Sequence, residues 1–396
     1  MKKIRVFLLQ DIIPNYRVPF FQRLSKLKNV DLTVFYSDPK RIFRLKNLKN
    51  SENINGFKSI KLPLFETKNK SYQFSFIKYL ILKRPDVLIS GKQVSLDGLL
   101  FLFCCKFLSI KFLWWSGGVP YIDKKIQSMK EMGRIEKIFR KYSPKRILTF
   151  KVDGMILYSK KGKKYYSMLG FPQKAIFVAP NSPDTVTLLK YKKKLDENPQ
   201  IIHKLKNKYA CNGEKVIVFL GRLNKERKLD LMIKTLGIVQ KKYPLMTCII
   251  IGDGSERLIL EKMVINSNLS NFHFLGAIYD EEVISNYFSI CDICITPLAS
   301  ITIQMAMIFG KPVISGDFGL EVNVIHDGKN GFIVKIDNLN MVAEKILLLL
   351  NNDSLREKMG QSAKDTVAKR IHIHKMIHGF EEAIHFVSKK ACGDFQ

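Results

Sequence analysis

The chain contains 396 residues, of which 46% are apolar and 26% are charged, and this composition is typical of a globular protein with more than one core. The longest apolar stretch, residues 98–113, is interrupted by two lysines, which excludes a membrane-spanning helix there. The apolar run after the first three residues ends at Gln10, too early for a signal peptide, so a cytoplasmic location is expected.

The charge of the chain is distributed unevenly. Residues 1–200 contain 41 Lys and Arg against 14 Asp and Glu, a net charge of +27, whereas residues 201–396 carry only +4. A field of this size is expected to draw the first half to an anionic surface, such as acidic lipid, lipid phosphate or nucleic acid. The alternative is that the lysines are spread over solvated helix faces.

Continuous apolar runs in the first half predict buried parallel strands. Segments with helical character separate them, and this alternation predicts a doubly wound α/β sheet. Residues 37–62 are polar and basic and are expected to be irregular. The predicted strands are 4–9, 30–36, 87–90, 112–115, 154–158 and 175–179, and the predicted helices are 20–28, 75–82, 99–108, 124–147 and 160–169.

A polar, Lys-rich stretch over residues 182–213 contains two prolines and is interpreted as the linker between two domains. A second α/β series follows it, and residues 354–388 are expected to form a terminal helical segment. The predicted strands of this series are 216–220, 247–251, 272–274, 293–296, 312–314 and 332–334, with helices at 228–241, 255–266, 281–288, 302–309 and 338–351.

Five short motifs follow one another in this second series, and most of them stand where a predicted strand ends. Their glycines permit close backbone approach, and their cations suit an anionic ligand. The motifs are Gly221-Arg222-Leu223 with Arg227-Lys228; Gly252-Asp253-Gly254; Phe274-Leu275-Gly276; the run from Asp292 to Pro297; and Phe309-Gly310-Lys311-Pro312 followed by Asp327-Gly328-Lys329-Asn330-Gly331.

The order and spacing of these motifs resemble the nucleotide-sugar-binding domain of family-4 retaining glycosyltransferases, within glycosyl transferases group 1. The resemblance implies the GT-B fold, in which two Rossmann-like domains with parallel, doubly wound sheets face each other and a C-terminal helix crosses back to the first. It implies a basic acceptor-binding domain over 1–185, a linker over 186–213, a donor domain over 214–370 and a crossing helix over 371–396. It implies no metal or other cofactor, because protein cations stabilise the leaving diphosphate.

The resemblance also assigns the donor site. Gly221 and Arg222 occupy the diphosphate position, and either Arg227 or Lys228 can supply the second cation. The segment containing Gly276 and Ile278 matches the one whose backbone contacts the base. The short loop at Ser300, Ile301 and Thr302 is expected to present free amides to the phosphates, with Thr302 capping the following helix.

This chain departs from the family pattern in that loop. Family members usually carry two glutamates across it, and the second binds the ribose hydroxyls. Here Met305 stands at the second position, and the loop is too short to place the first. Gln304 is a candidate ribose ligand, although it lies one helical step away. The family's reaction is often attributed to front-face attack, with the leaving phosphate accepting the proton, so no protein base is assigned.

Two segments of the first half resemble the acceptor side of related polysaccharide-assembly enzymes. Asn15, Tyr16 and Arg17 follow the first predicted strand, and Ser116 and Gly117 follow the strand that ends in two tryptophans. These five residues are the candidate acceptor-binding residues. Core packing is the alternative for one of the tryptophans.

Cysteine and histidine patterns do not point to a metal or a disulfide framework. Cys291 and Cys294 form a C-x-x-C pair inside an apolar strand, where cysteine packs as a small hydrophobe. His374 and His378 are one helical turn apart, but no HExxH motif or third carboxylate ligand is placed with them, and a solvated helix face is the favoured interpretation.

These inferences predict a metal-independent retaining glycosyltransferase of cell-surface polysaccharide or glycolipid assembly. Its partners would be a nucleotide-sugar donor, a glycan or lipid-linked acceptor and the anionic cytoplasmic face of a membrane, to which it would be peripherally bound. One alternative is a catalytically weakened homologue that serves as a lipid- or partner-binding subunit, suggested by the missing carboxylates. A nucleic-acid-binding protein is suggested by charge alone and disfavoured by the nearly neutral second half.

Overall fold

The computed structural model describes residues 2–38, 54–67, 71–92, 95–117, 151–210, 212–298, 300–317 and 324–393. The predicted helix over 124–147 lies outside these ranges. The chain divides into two compact units, Met1–Asn181 with Ile373–Gln396, and Ser182–His372. The first unit contains 40 Lys and Arg against 14 Asp and Glu, a net charge of +26, and the second contains 26 against 21, a net charge of +5.

The first unit is built on a seven-stranded parallel sheet in the order β3-β2-β1-β6-β7-β8-β9. β1, β2, β6, β7 and β8 are rich in buried apolar residues, as expected for strands covered on both faces. The strands are β1 (Ile4–Leu9), β2 (Val30–Tyr36), β3 (Lys58–Lys61), β4 (Phe65–Glu66), β5 (Ser71–Tyr72), β6 (Val87–Ser90), β7 (Lys111–Ser116), β8 (Gly154–Leu157) and β9 (Ile176–Val178), and the helices are α1 (Val18–Leu24), α2 (Phe76–Lys83), α3 (Leu96–Phe107) and α4 (Lys160–Met168).

The core under α2 and α3 is aromatic. The Phe76 ring centroid lies 4.8 Å from that of Phe35 and 5.3 Å from that of Phe101, so both helices are fixed to the same side of the sheet. Phe7 joins this cluster from β1. Each contact of this kind contributes beyond the area it buries.

The prediction that residues 37–62 are irregular is wrong for the end of that stretch. β3 pairs in parallel with β2 and forms the edge of the sheet. Lys58 at its start is exposed and forms an ion pair with Asp31 at 2.7 Å, and an exposed lysine on an edge strand discourages pairing with other chains. The lysines conceal the strand because only Ile60 packs against the core.

The second unit contains a six-stranded parallel sheet in the order β12-β11-β10-β13-β14-β15. The order changes direction at β10, so the loops after β10 and β13 diverge at a topological switch point, where open α/β sheets bind ligands. The strands are β10 (Lys215–Leu220), β11 (Met246–Ile251), β12 (Phe272–Gly276), β13 (Ile293–Thr296), β14 (Val313–Gly316) and β15 (Gly331–Val334).

The predicted linker over 186–213 instead consists largely of two helices that belong to the second unit. α5 (Thr185–Glu197) begins at the Asp184 cap and buries Leu188 and Leu195, seven residues apart, while α6 (Pro199–Tyr209) buries Tyr209. The remaining helices of this unit are α7 (Leu229–Lys242), α8 (Arg257–Asn266), α9 (Glu281–Ile290), α10 (Ile301–Ile308), α11 (Leu339–Leu350) and α12 (Asp353–Arg370).

The predicted terminal helical segment over 354–388 contains two helices. α12 ends at Arg370, and α13 (Ile373–Gly393) then packs within the first unit against β7, β8 and β9. Phe380 is fully buried there, and a Cβ at Gly379 would lie 2.6 Å from the Val178 carbonyl oxygen. Among the helices of the described residues, none is long and apolar enough to cross a membrane.

The packing of α5 against α9 brings three carboxylates together. Asp184 caps α5 and Asp280 caps α9, each accepting backbone N–H bonds at its helix start. Glu281 is the first residue of α9, and burial, together with the charges of Asp184 and Asp280, raises the pKa of its carboxyl group to about 7.

Glu281→Gln should therefore stabilise the protein at pH 8. The folded-state pKa lies above the unfolded value, so ionisation of Glu281 increasingly destabilises the fold as pH rises from about 4.5 to about 7. We expect a gain of about 1–2 kcal/mol at pH 8 that largely disappears at pH 4.5. Urea denaturation at the two pH values measures it. Glu282→Gln is the control, since Glu282 is partly exposed and ion-paired with Lys194, and it should give no such gain.

Candidate nucleotide-binding site

Three loops meet at the carboxyl edge of the second sheet, after β10, β11 and β12. The Gly221 N–H donates to the Ile251 carbonyl at 2.9 Å, and the Gly252 N–H donates to the Gly276 carbonyl at 2.7 Å. Gly252 has a φ of +150°, and a Cβ there would lie 1.8 Å from the Gly221 carbonyl oxygen. The glycines are therefore required by close backbone approach, and they hold the loops in one arrangement.

Two arginines stand on the loop after β10. Arg222 follows Gly221 directly, and Arg227 lies in a short 3₁₀ turn before α7; both side chains are half-buried. Burial, with the nearby positive charge of Arg222, lowers the pKa of Arg227. The Arg227 guanidinium donates from Nη1 to the Leu298 carbonyl at 3.3 Å, so the cation is directed towards the loop after β13.

Lys228, the other candidate for the second cation, is exposed and has a φ of +51°. This left-handed conformation is one that glycine adopts without strain and that other residues rarely adopt. Of the two candidates, Arg227 is therefore the one whose side chain lies inside the site.

The start of α10 lies beside the end of β10. The Thr302 hydroxyl donates to the Leu220 carbonyl at 3.0 Å. Thr302 is therefore not the helix cap predicted from the sequence: Ser300 occupies that position, with extended backbone and no side-chain cap bond. The Ser300 hydroxyl is buried and has no hydrogen-bond partner among the described residues, which leaves a polar atom for a ligand at a helix N-terminus.

Met305 and Gln304 both lie inside α10, each about 5% exposed. Met305 packs in the apolar cluster between α10 and the sheet. The position that lacks a carboxylate thus lies in a helix whose residues are all buried from Thr302 to Ile308. A ribose contact from Met305 is not part of this arrangement.

The predicted base-binding segment runs from Phe274 to Ile278; within it Gly276 has a φ of +75° and Ile278 is half-buried. Arg257 was not predicted from the sequence, and its Nη1 lies 3.2 Å from the position of a Cβ on Gly276. Arg257 is held by Glu261 at 2.8 Å and lies 3.7 Å from Asp253. Asp253 lies four residues before Arg257 and Glu261 four residues after it. This spacing is the signal that could have identified Arg257.

The candidate acceptor residues also converge, at the carboxyl edge of the first sheet. The Arg17 guanidinium donates to the Tyr158 hydroxyl at 2.7 Å and lies 4.9 Å from the centroid of the Trp115 ring. A Cβ on Gly117 would lie 3.3 Å from the Tyr158 ring. Arg17 is only 4% exposed, so its contacts lie within the unit, whereas Asn15 is exposed and Tyr16 and Ser116 are half-buried at the surface.

A polar network beside these residues was missed from the sequence. The Lys92 ammonium lies 2.8 Å from the fully buried Asp97 and 3.3 Å from Asp11. Although burial alone would raise it, the pKa of Asp97 is lowered, because Lys92 and hydrogen bonds from Ser95 and the Gln73 N–H favour the charged form. Lys92 precedes α3 and Asp97 lies in its first turn, but Asp11 and Gln73 come from distant parts of the sequence, so no local pattern reveals the whole network.

The predicted cysteine and histidine roles can be compared with the structure. Cys291 and Cys294 are free and buried, as expected for core residues, and burial raises the pKa of Cys291 to about 12. His378 lies on α13 with its Nε2 3.7 Å from Glu382. Within the ranges that the structure describes, no group of three His, Cys, Asp or Glu side chains is arranged to hold a metal ion.

Comparison with known sequences agrees with this geometry. Residues 202–366 match the family model of glycosyl transferases group 1. An uncharacterized glycosyltransferase of Methanocaldococcus jannaschii is 29% identical over 215 residues, which are 51% of this chain and 59% of that protein. The poly(ribitol-phosphate) alpha-N-acetylglucosaminyltransferase of Staphylococcus aureus is 27% identical over 160 residues, which are 40% of this chain and 32% of that protein. The chain thus spans about half the length of these curated relatives or less.

Among solved structures, the Anabaena protein HepE in complex with UDP is similar to this chain with a TM-score of 0.69 and 15% identity, over 98% of this chain and 100% of its own. This likeness concerns the fold, and it confirms the predicted GT-B fold class. The residues that match this family model, 202–366, make up most of the second unit. The family predicted from the motif order is therefore confirmed at the level of group 1.

Gly252→Ala should destabilise the protein by about 3 kcal/mol or more, because the added methyl group meets the Gly221 carbonyl and the backbone angle is unfavourable for alanine. Gly213→Ala is the matched control: its φ is +78°, but no atom lies within 4 Å of the added Cβ, so a cost of about 1 kcal/mol is expected. Denaturant unfolding followed by circular dichroism compares them. Equal stability of the two variants would contradict the close approach of the loops.

Proposed function

We propose that this protein is a retaining, metal-independent glycosyltransferase that moves a sugar from a nucleotide-sugar donor to a glycan or lipid-linked acceptor in cell-surface polysaccharide or glycolipid assembly. The observation that carries the proposal is the convergence of Arg222, Arg227 and the start of α10 at the switch point of a group 1 domain. Gly221, Gly276, Ile278, Ser300, Ile301 and Thr302 complete the proposed donor site.

The chemistry of the proposed site suits a diphosphate leaving group. When the sugar–phosphate bond breaks, negative charge develops on the diphosphate, and fixed cations stabilise it without reorganisation. Arg222 presents a planar fork to phosphate oxygens, and Arg227 adds a partly desolvated charge. The amides at the start of α10 and the Ser300 hydroxyl supply neutral donors.

The donor's nucleotide is proposed by analogy. HepE, which has the same fold, is described in complex with UDP, so a uridine nucleotide is the first ligand to test. With Met305 buried, the diphosphate and the base are expected to contribute most of the binding free energy. Gln304 remains a proposed ribose ligand, although its side chain is buried as well.

The acceptor is proposed to bind the first unit near Asn15, Tyr16, Ser116 and Gly117, with Arg17 positioning them from beneath. The charge of +26 on this unit favours an acceptor attached to an anionic lipid, at the cytoplasmic face of a membrane. Peripheral attachment to that surface is part of the proposal.

The alternative function is a weakened homologue that binds a lipid or a partner without catalysis. The missing glutamate pair, represented by Met305, is the observation that favours it. The two functions differ in nucleotide binding, because a subunit without catalysis has no need of the diphosphate site.

Arg222→Ala should weaken UDP binding at least tenfold and remove about 2–4 kcal/mol of transition-state stabilisation, because one of the two phosphate-facing cations is lost. Isothermal titration calorimetry with UDP measures the first effect. Arg227→Ala should act in the same direction, whereas Lys228→Ala should act weakly since Lys228 is exposed.

Lys234→Ala is the control for charge, because Lys234 is an exposed cation on α7 of the same unit. It should bind UDP like the wild type. Wild-type protein that binds UDP, GDP and other nucleoside diphosphates no better than it binds free phosphate would favour the weakened homologue. Equal UDP affinities for Arg222→Ala and Lys234→Ala would remove Arg222 from the site.

A further inference from the structure

Helix α3 is apolar on two opposite sides. Its inner side, with Phe101, Leu102 and Cys105, packs in the core of the first unit. Its outer side carries four large apolar residues at helical positions i, i+4, i+7 and i+11, so they form one stripe along the helix. These are Leu96, Leu100, Phe103 and Phe107, with exposed fractions of 57%, 38%, 68% and 90%.

The outer face of α2 extends this stripe. Phe76 and Phe101 link the two helices at 5.3 Å between ring centroids, so α2 lies beside α3 on the same side of the sheet. Ile81 and Leu82 are 48% and 66% exposed there, next to the exposed Lys78. We name the six exposed apolar residues of the two helices the α2–α3 face.

An apolar face of this kind is unusual on a protein surface. A helix that is hydrophobic all round is normally buried in a core or a membrane. α3 has 12 residues and is therefore about 18 Å long, too short to cross a bilayer of about 30 Å. A short helix with an exposed apolar stripe suits the membrane interface, in which it lies parallel to the surface.

Charge around the face favours the same occupant. Lys78, Lys83, Arg84 and Lys106 are exposed on or directly after the two helices, and the unit carries a net charge of +26. Basic residues beside inserted aromatic residues attract anionic lipid headgroups. A protein partner would need an apolar centre surrounded by an acidic rim. An anionic bilayer provides an apolar interior and an anionic surface over its whole area.

We infer that the α2–α3 face inserts into the interface of an anionic lipid bilayer, with Phe103 and Phe107 entering the acyl boundary. This inference deepens the peripheral attachment in the proposed function and rests on it: attachment is by apolar insertion as well as by charge. The anchoring of α3 supports it, because Asp97 at the helix start is held by Lys92 at 2.8 Å and Ser95 caps the helix by accepting the Gly98 N–H.

The test compares the binding of two charge-neutral double variants to vesicles of phosphatidylcholine with phosphatidylglycerol. Phe103→Ser/Phe107→Ser removes the tip of the face and should lower the partition coefficient at least tenfold, which corresponds to 1.4 kcal/mol. Leu258→Ser/Ile265→Ser is the matched control, since these residues are 71% and 70% exposed on α8 of the nearly neutral unit. It should partition like the wild type.

A second measurement detects insertion directly. Phe107→Trp places a tryptophan at a position that is 90% exposed, so the fold should tolerate it. Its added fluorescence, relative to the wild type, should be quenched by lipids brominated near the headgroup end of the acyl chain. Absence of quenching, or equal partitioning of the two serine variants, would overturn insertion and leave a purely electrostatic attachment.

Two further outcomes distinguish this inference from self-association of the chain and from the proposed glycosyl transfer. If the wild type self-associates in solution and Phe103→Ser/Phe107→Ser is monomeric, the face binds a second copy of the chain and the lipid assignment is wrong. UDP affinity should be unchanged in Phe103→Ser/Phe107→Ser, because these residues lie in the other unit. A wild-type protein that binds UDP but does not insert into the bilayer therefore defeats this inference alone, and a wild-type protein that inserts without binding any nucleotide defeats the proposed glycosyl transfer alone.

Discussion

The close approach of Gly252 to the Gly221 carbonyl is the contact on which the candidate donor site depends. It brings the loops after β10 and β11 to within bonding distance, and the Gly252 N–H then reaches Gly276 after β12. Any side chain at Gly252 would separate the loops. Because Arg222 follows Gly221 directly, this backbone contact sets the point on the loop from which the Arg222 side chain extends.

The same arrangement has an electrostatic consequence. Arg222 and Arg227 carry like charges close enough that the first disfavours ionisation of the second, and burial adds to the effect. Such a pair costs free energy in the protein alone, and that cost is offset when an anion lies between or beside the two cations. The Leu298 carbonyl offsets a small part of it, since a neutral acceptor cannot replace an anionic one.

The sequence was most informative where burial dictates composition. The strands β1, β6 and β10 are largely continuous apolar runs because both faces of a parallel sheet are covered, and they lie where they were predicted. It was least informative where lysines surround a narrow apolar stripe. Leu188 and Leu195 are enough to bury α5, yet the segment looks like a linker because lysine stems cover apolar surface while their charges stay in water.

The candidate sites show the same division. The places of Arg222 and Gly276 at the carboxyl ends of β10 and β12 could be predicted from the sequence. The order and spacing of the motifs along the chain indicate which strand each residue belongs to. The capping role of Thr302 was wrong because the helix begins one residue before it, and its hydroxyl donates to the Leu220 carbonyl, 82 residues away in the sequence. In the network of Lys92, Asp97 and Asp11, Lys92 and Asp97 are five residues apart, but Asp11 reaches Lys92 only through the topology of the first sheet, and the network was missed for that reason.

Arg17 connects two parts of the first unit that the sequence places far apart. Its guanidinium contacts Tyr158 and Trp115 beside the candidate acceptor loop, and its Nη1 lies 3.5 Å from the sulfur of Met376 on α13. A buried arginine surrounded mainly by aromatic faces, a hydroxyl and a thioether is stabilised by cation–π attraction, which strengthens as water is removed. The loop at residues 15–17 is therefore held by the last helix of the chain, and Phe380 packs against Trp115 at 5.0 Å to reinforce it. The geometry of the candidate acceptor side thus depends on residues at the far end of the sequence, so the return of α13 to the first unit is a structural requirement of that side.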